Sequence, residues 1–166
     1  GEQREWYQYH LYPPLGIFIV SDDNQAKRNI IIPLFPLPTT VFYPNTFLPL
    51  HIFEPRYRSM VTDALEGEGK IGMILLKTGW ENDYNDAPEI MTVGCVGKID
   101  RHSQLPEGKY NILLSGLHRF RILQEIEGKL YRQAQVELLE EINNQDLTVD
   151  SLSIKKQMIF TCFQNH

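Results

Sequence analysis

Apolar positions recur along this chain in short blocks, and prolines and glycines set where one block stops and the next begins. From Ile32 to Tyr57 the chain reads IPLFPLPTTVFYPNTFLPLHIFEPRY, with six prolines. Pro33, Pro36 and Pro38 each remove a backbone donor and fix φ, which predicts an edge strand or an extended arm hung with Leu34, Phe35 and Leu37. Phe47 to Ile52 reads as a second strand. Pro55 then stands at a first helical position behind Glu54, where a carboxylate complements the helix dipole. Tyr57, Met60, Val61, Ala64 and Leu65 fall on one face of a helix over 54–68, which Gly67 and Gly69 end.

Beyond the helix the rhythm changes. Ile71 to Lys77 is a nearly continuous apolar run of strand length, the pattern of a strand buried on both faces. Thr78 to Pro88 is a polar loop carrying Trp80 and Tyr84. Met91 to His102 reads as a strand interrupted by Gly94 and Gly97, a spacing that predicts a bulge or bend. Leu105 to Gly108 is a hairpin-type turn into Tyr110 to Ser115, and Gly116 bends the chain before Leu117 to Gln124. There the alternation has period two, with His118, Phe120 and Ile122 on one face and Leu117, Arg119, Arg121 and Leu123 on the other. Tyr131 to Glu140 supplies a last strand. Short strands broken by turn residues, with one helix inserted early, predict a mainly β chain of the α+β class, closed or nearly closed into a small β-barrel.

Residues 1–29 form an N-terminal extension, rich in aromatics at Trp6, Tyr7, Tyr9 and Tyr12, ahead of a domain over 30–142. Residues 143–166 begin a C-terminal helical region, with a helix expected over Asp146 to Phe163. It runs out at His166 without a cap signal, as in a chain cut from a longer protein.

Five pieces stand in order along the chain: Pro33 to Pro38, Leu48 to Tyr57, Val93-Gly94-Cys95, Leu105 to Tyr110 and Gly116 to Ile122. In these pieces the chain, from about Ile32 to about Glu141, resembles the amino-terminal, substrate-binding domain of Lon-type proteases, which also occurs free-standing without the protease. Asn45 departs from the pattern, because the family usually places glycine after the proline of this turn. Asparagine tolerates a left-handed backbone, so the turn is expected to be kept. The resemblance implies a PUA-like barrel with an inserted helix and a C-terminal helix, and a non-enzymatic module that binds protein or peptide.

Composition narrows the alternatives. The 166 residues carry 16 basic and 21 acidic side chains, a net charge of -5, which argues against a partner held mainly through phosphates. PUA-like barrels in general often bind RNA. Lys98, Arg101, Lys109, His118, Arg119, Arg121, Lys129 and Arg132 interleave with Tyr110, Phe120 and Tyr131 in the second half, which makes RNA the runner-up partner. Cys95 and Cys162 define no disulfide framework, and Cys95 reads as a buried thiol. The longest apolar runs are far short of the roughly 20 residues of a membrane span, and no secretory signal is visible, so a cytoplasmic location is expected.

No catalytic or metal site is legible. Gly67 to Ile71 lacks the spacing and the hydroxyl of a phosphate-binding loop. The five histidines form no His-x-x-x-His pair, and His51 reads as a hydrogen-bonded structural residue. No cofactor is expected. Glu54 and Arg56, with Arg119, are candidates for a structural network that locks the helix onto the barrel. The candidate protein-binding residues are Leu34, Phe35, Leu37, Phe42, Tyr43, Trp80 and Tyr84, weighed against ordinary packing. They would form an exposed apolar patch for unfolded or extended polypeptide segments. A protease or chaperone, and a second copy of the chain, are the further candidate partners.

Overall fold

The computed structural model describes residues 28–82 and 87–140, with Lys156, Gln157, Ile159, Phe160, Thr161 and Gln164 beyond them. The N-terminal extension, Tyr84 and most of the expected C-terminal helix lie outside the described residues. The elements are β1 (Asn29–Leu37), β2 (Phe47–Ile52), α1 (Pro55–Glu66), β3 (Lys70–Leu75), β4 (Val93–Gln104), β5 (Tyr110–Ile126) and β6 (Gln133–Leu138). This is a mainly β chain with few helices.

One sheet runs in the order β2-β5-β4-β3-β1-β6, and a further pairing of β5 with β6 brings the ladder back on itself. Five strands therefore form a hydrogen-bonded ring, β1-β3-β4-β5-β6, with β2 attached to β5 outside it. All pairings are antiparallel except that of β1 with β3.

The proline-rich strand is neither an edge strand nor a loose arm. Asn29 to Pro33 pair with β6, and Leu34 to Leu37 pair with β3. The reason lies in which side each residue's backbone groups face. The Leu34 N–H donates to the Arg132 carbonyl at 2.8 Å on the β6 side, and the Leu37 carbonyl accepts from Leu76 N–H at 3.0 Å on the β3 side. Since successive residues alternate, Pro33 lacks its donor on the β3 side just before that ladder starts. Pro36 lacks its donor on the β6 side just after that ladder has ended. Each proline thus falls where no partner strand asks for an N–H, which lets an interior strand contain two of them.

The alternation along these strands feeds two cores. Ile32, Leu34, Ile74, Val96, Phe120, Ala134 and Val136 pack together, reached from all five ring strands. Phe35, Ile71, Met73, Cys95, Ile99, Ile112 and Leu114 pack in a second cluster with Ile52 and Phe42 and with Tyr57, Met60, Val61 and Ala64 of α1. The helical face read from spacing is the buried face, with Leu65 partly buried beside it. Ile71 to Ile74 is buried along both faces, as its continuous apolar run predicts.

Glycines decide how closely these layers approach. Gly97 lies at a register shift, as expected of an interrupting glycine. Gly94 has another role: a Cβ there would lie 2.3 Å from the Met73 carbonyl oxygen and 2.7 Å from Phe120 Cζ. Gly116 is part of the continuous strand β5, not a break between two. Asn45 adopts φ 61, the left-handed conformation expected of the turn. Near the far end of β4, Phe160 is buried, Gln164 bonds to Ser103 at 3.0 Å and Lys156 pairs with Asp100.

Candidate functional site: an apolar cleft beside the first strand

Where β6 begins at Gln133, the β6 side of β1 is left without a strand from Pro36 onward, and a cleft of about 1050 Å³ opens there. Its floor and walls come from three places in the sequence. Phe35 to Pro38 line it from β1, Leu50, His51, Phe53, Glu54, Arg56 and Tyr57 from the junction of β2 with α1, and Glu125 to Arg132 from the connection between β5 and β6. Trp80, Ala87 and Pro88 line it as well.

The floor is built by burial. Phe35 and Tyr57 are both buried, with ring centroids 4.3 Å apart at 58°. Two other large apolar side chains of the lining stand in solvent, Phe53 at 58% exposure and Leu130 at 77%. Phe53 also stacks on His51, which is exposed and hydrogen-bonded to Asn111 Oδ1 at 2.8 Å. Leu130 is presented by its neighbours. Lys129 Nζ and Tyr131 OH both bond to Asp63 Oδ2 of α1, at 3.0 and 2.6 Å. The residue between these two anchors is left outward on the cleft side.

This anchoring is electrostatic as well as geometric. The Tyr131 hydroxyl and the Lys129 ammonium hold the Asp63 carboxyl below the usual carboxylate range. Burial and the Asp63 carboxylate push the Tyr131 hydroxyl up. A lowered folded pKa means that Asp63 stabilises the fold above its unfolded value of about 3.9, and that this contribution is lost as pH falls through the lowered folded value. The expected outcome is that Asp63→Asn lowers the melting temperature at pH 7 and melts with a shallower dependence on pH below about 4 than the wild type. Thermal melts across that range check it, and parallel curves for the two proteins would contradict it.

The residues singled out from the sequence are distributed unevenly. Phe35, Leu37 and Trp80 come together in the cleft, Phe35 at its base and the other two part-buried. Leu34 is fully buried in the ring cluster and Phe42 is buried in the second cluster, where its ring packs over Gly97. An exposed patch that includes Phe42 is therefore corrected, because its ring is taken up by the second cluster, while ordinary packing holds for Leu34 and Phe35, which the paired β1 turns to one core and the other. Tyr43 is 58% exposed but belongs to the turn over Gly116 and does not line the cleft. Glu54 and Arg56 form an ion pair at 3.0 Å on the cleft rim, and the Arg56 guanidinium lies 4.7 Å from the Tyr57 ring. Arg119 lies on β5, in register opposite Cys95 of β4. Phe53 and Leu130 were not singled out. Their signals were faint: an apolar residue just past a strand end, and one enclosed by Gly128, Lys129 and Arg132.

Four of the eight basic side chains singled out in the second half are matched by carboxylates. Lys109 pairs with Glu107 at 2.6 Å, Arg121 with Glu137 at 3.4 Å, Lys129 with Asp63 at 3.0 Å and Arg132 with Glu125 at 2.7 Å. Cations already matched by carboxylates make a poor phosphate-binding face, so RNA is not favoured. No helix among the described residues is long and apolar enough to cross a membrane.

The scaffold is mainly β, holds a helix against its sheet and leaves an apolar cleft open beside β1. Comparison with known proteins makes the class specific: the family model described as the ATP-dependent protease La (LON) substrate-binding domain matches residues 31–162, and the chain belongs to this family. The Lon protease of Dictyoglomus thermophilum is 35% identical over 111 residues, which cover 67% of this chain and 14% of that protein. The Lon protease of Trichlorobacter lovleyi is 32% identical over 138 residues, covering 82% of this chain and 16% of that protein. The chain thus spans less than a fifth of the length of these curated relatives. Among solved structures, the Lon N-terminal domain protein from Xanthomonas campestris superposes with a TM-score of 0.56 at 21% identity, covering 79% of this chain and 75% of that one. The N-terminal domain of the Mycobacterium avium complex Lon protease gives 0.53 at 14% identity, covering 82% and 76%. At these identities the two structures speak for the fold alone.

Proposed function

We propose that this chain is a non-enzymatic substrate-recognition module, linked to proteolysis, that holds unfolded or extended polypeptide segments in the cleft beside β1. In this reading the ring of five strands is a small PUA-like β-barrel, and the module works in the cytoplasm with a protease or chaperone as partner. The observation that carries it is the pair of exposed apolar side chains, Phe53 and Leu130, that line a cleft of about 1050 Å³ together with the buried rings of Phe35 and Tyr57. Large exposed apolar groups gathered in a cleft are the usual mark of an interaction site. An unfolded segment is the form of polypeptide that presents apolar side chains to such a surface.

The test is to change Phe53 and Leu130 together to serine and to measure binding of an unfolded model protein beside the melting temperature. Binding is expected to weaken by about tenfold or more, since both side chains would be central to the contact. The melting temperature is expected to hold, because neither side chain is in the core. Unchanged binding by an equally stable variant would remove the cleft as the site. Phe42 is unsuitable for such a test, since replacing a buried ring would unfold the scaffold along with any site.

A further inference from the structure

The wall of the cleft made by β1 is a strand edge without free hydrogen-bond donors. Leu34 already donates its N–H to the Arg132 carbonyl. Beyond it, the backbone on that side belongs to Pro36 and then Pro38, which have no N–H. Phe35 and Leu37 alternate with them and turn their backbone groups to β3. A polypeptide laid against this edge as an added strand would meet carbonyls only, half of a ladder. Prolines on an exposed edge are a known means of discouraging strand addition. The cations on the rim are also committed, Arg56 to Glu54, Arg132 to Glu125 and Lys129 to Asp63. What the cleft does offer is apolar and aromatic side-chain surface, foremost Phe53, Leu130, Phe35 and Tyr57.

We propose, resting on the reading of the cleft as a polypeptide site, that it recognises extended apolar segments through their side chains and not by strand addition to β1. The chemical class it accepts therefore includes apolar segments whose backbone N–H groups are interrupted, by proline or by N-alkylation. A domain that adds its ligand as a strand would reject these, because such binding draws its affinity from main-chain hydrogen bonds.

Two short labelled peptides of one Phe- and Leu-rich sequence test this, the second N-methylated at alternate peptide bonds. Their affinities for the whole chain are measured by fluorescence anisotropy, with wild type and with the Phe53→Ser, Leu130→Ser variant. The expected result is that the methylated peptide binds wild type within about threefold of the ordinary one, and that both weaken by about tenfold in the variant. Loss of about tenfold or more on methylation alone, with the ordinary peptide still sensitive to the variant, would overturn side-chain recognition and leave the cleft reading standing. Binding by neither peptide, or binding that ignores the variant, would remove the cleft reading and this inference with it.

Discussion

Gly94→Ala is expected to destabilise the protein by about 3 kcal/mol, the upper end of what overpacking a core costs. One methyl group has that effect because of what surrounds it. The added Cβ would lie 2.3 Å from the Met73 carbonyl oxygen and 2.7 Å from Phe120 Cζ, and real Cβ atoms do not come within 3.0 Å of such neighbours. Phe120 is fully buried at the centre of the ring cluster, and the Met73 carbonyl belongs to the strand paired with Gly94's own. Neither retreats without breaking packing or a ladder. Gly72 provides the control. A Cβ there meets only side chains, Ile32 Cδ1 at 2.7 Å, Leu34 Cδ2 at 3.0 Å and Phe120 Cε1 at 3.1 Å. Shortening Ile32 to valine is therefore expected to recover part of the loss in Gly72→Ala, while no shortened side chain recovers Gly94→Ala. Denaturant unfolding of the single and double variants checks both. A Gly94→Ala protein within about 0.5 kcal/mol of wild type would mean that β3 and β4 do not approach as described.

Gly116→Ala is expected to cost a similar amount, about 3 kcal/mol, for a different reason. Here the backbone of the Tyr43 to Thr46 turn crosses directly over β5. A Cβ at position 116 would lie 2.0 Å from the Tyr43 carbonyl oxygen and 3.1 Å from Pro44 Cα. The crossing is held by hydrogen bonds from Asn45 N–H to the Gly116 carbonyl at 3.0 Å and from Gly116 N–H to the Thr46 carbonyl at 2.8 Å. Alanine would push the turn away and sever both. The damage is therefore expected to be local first: amide exchange at Asn45 and Gly116 should accelerate more than at Val96 or Ile112 in the buried strands. Uniform acceleration across the protein would contradict a clash confined to the turn.

Much of this architecture was legible in the chain because local physics decided it. The α1 face followed from apolar spacing, and its start from Pro55 behind Glu54. The run Ile71 to Ile74 read as buried on both faces, and the left-handed Asn45 followed from what a side chain tolerates at that φ. In each case the determining groups lie within a few residues of one another. The five ordered motifs carried the family for a related reason, since they mark turns, strand ends and close approaches that one backbone path requires.

The cleft was not legible, and the reason is where its parts come from. Pro36 by itself says that a donor is missing; only the handover of β1 from β6 to β3 decides which side that donor would have faced. Leu34 and Phe35 look alike in sequence, yet their opposite directions send one into the ring cluster and the other to the floor of the cleft. Leu130 is exposed because Lys129 and Tyr131 are both drawn to Asp63, more than sixty positions earlier in the chain. By itself the sequence determined the short-range geometry, the turn residues, caps and buried faces, since those depend on φ restrictions and on side-chain spacing along one element. The tertiary structure alone decided which apolar residues stay in water, because exposure is what remains after distant strands have taken their partners, and no local pattern records that remainder.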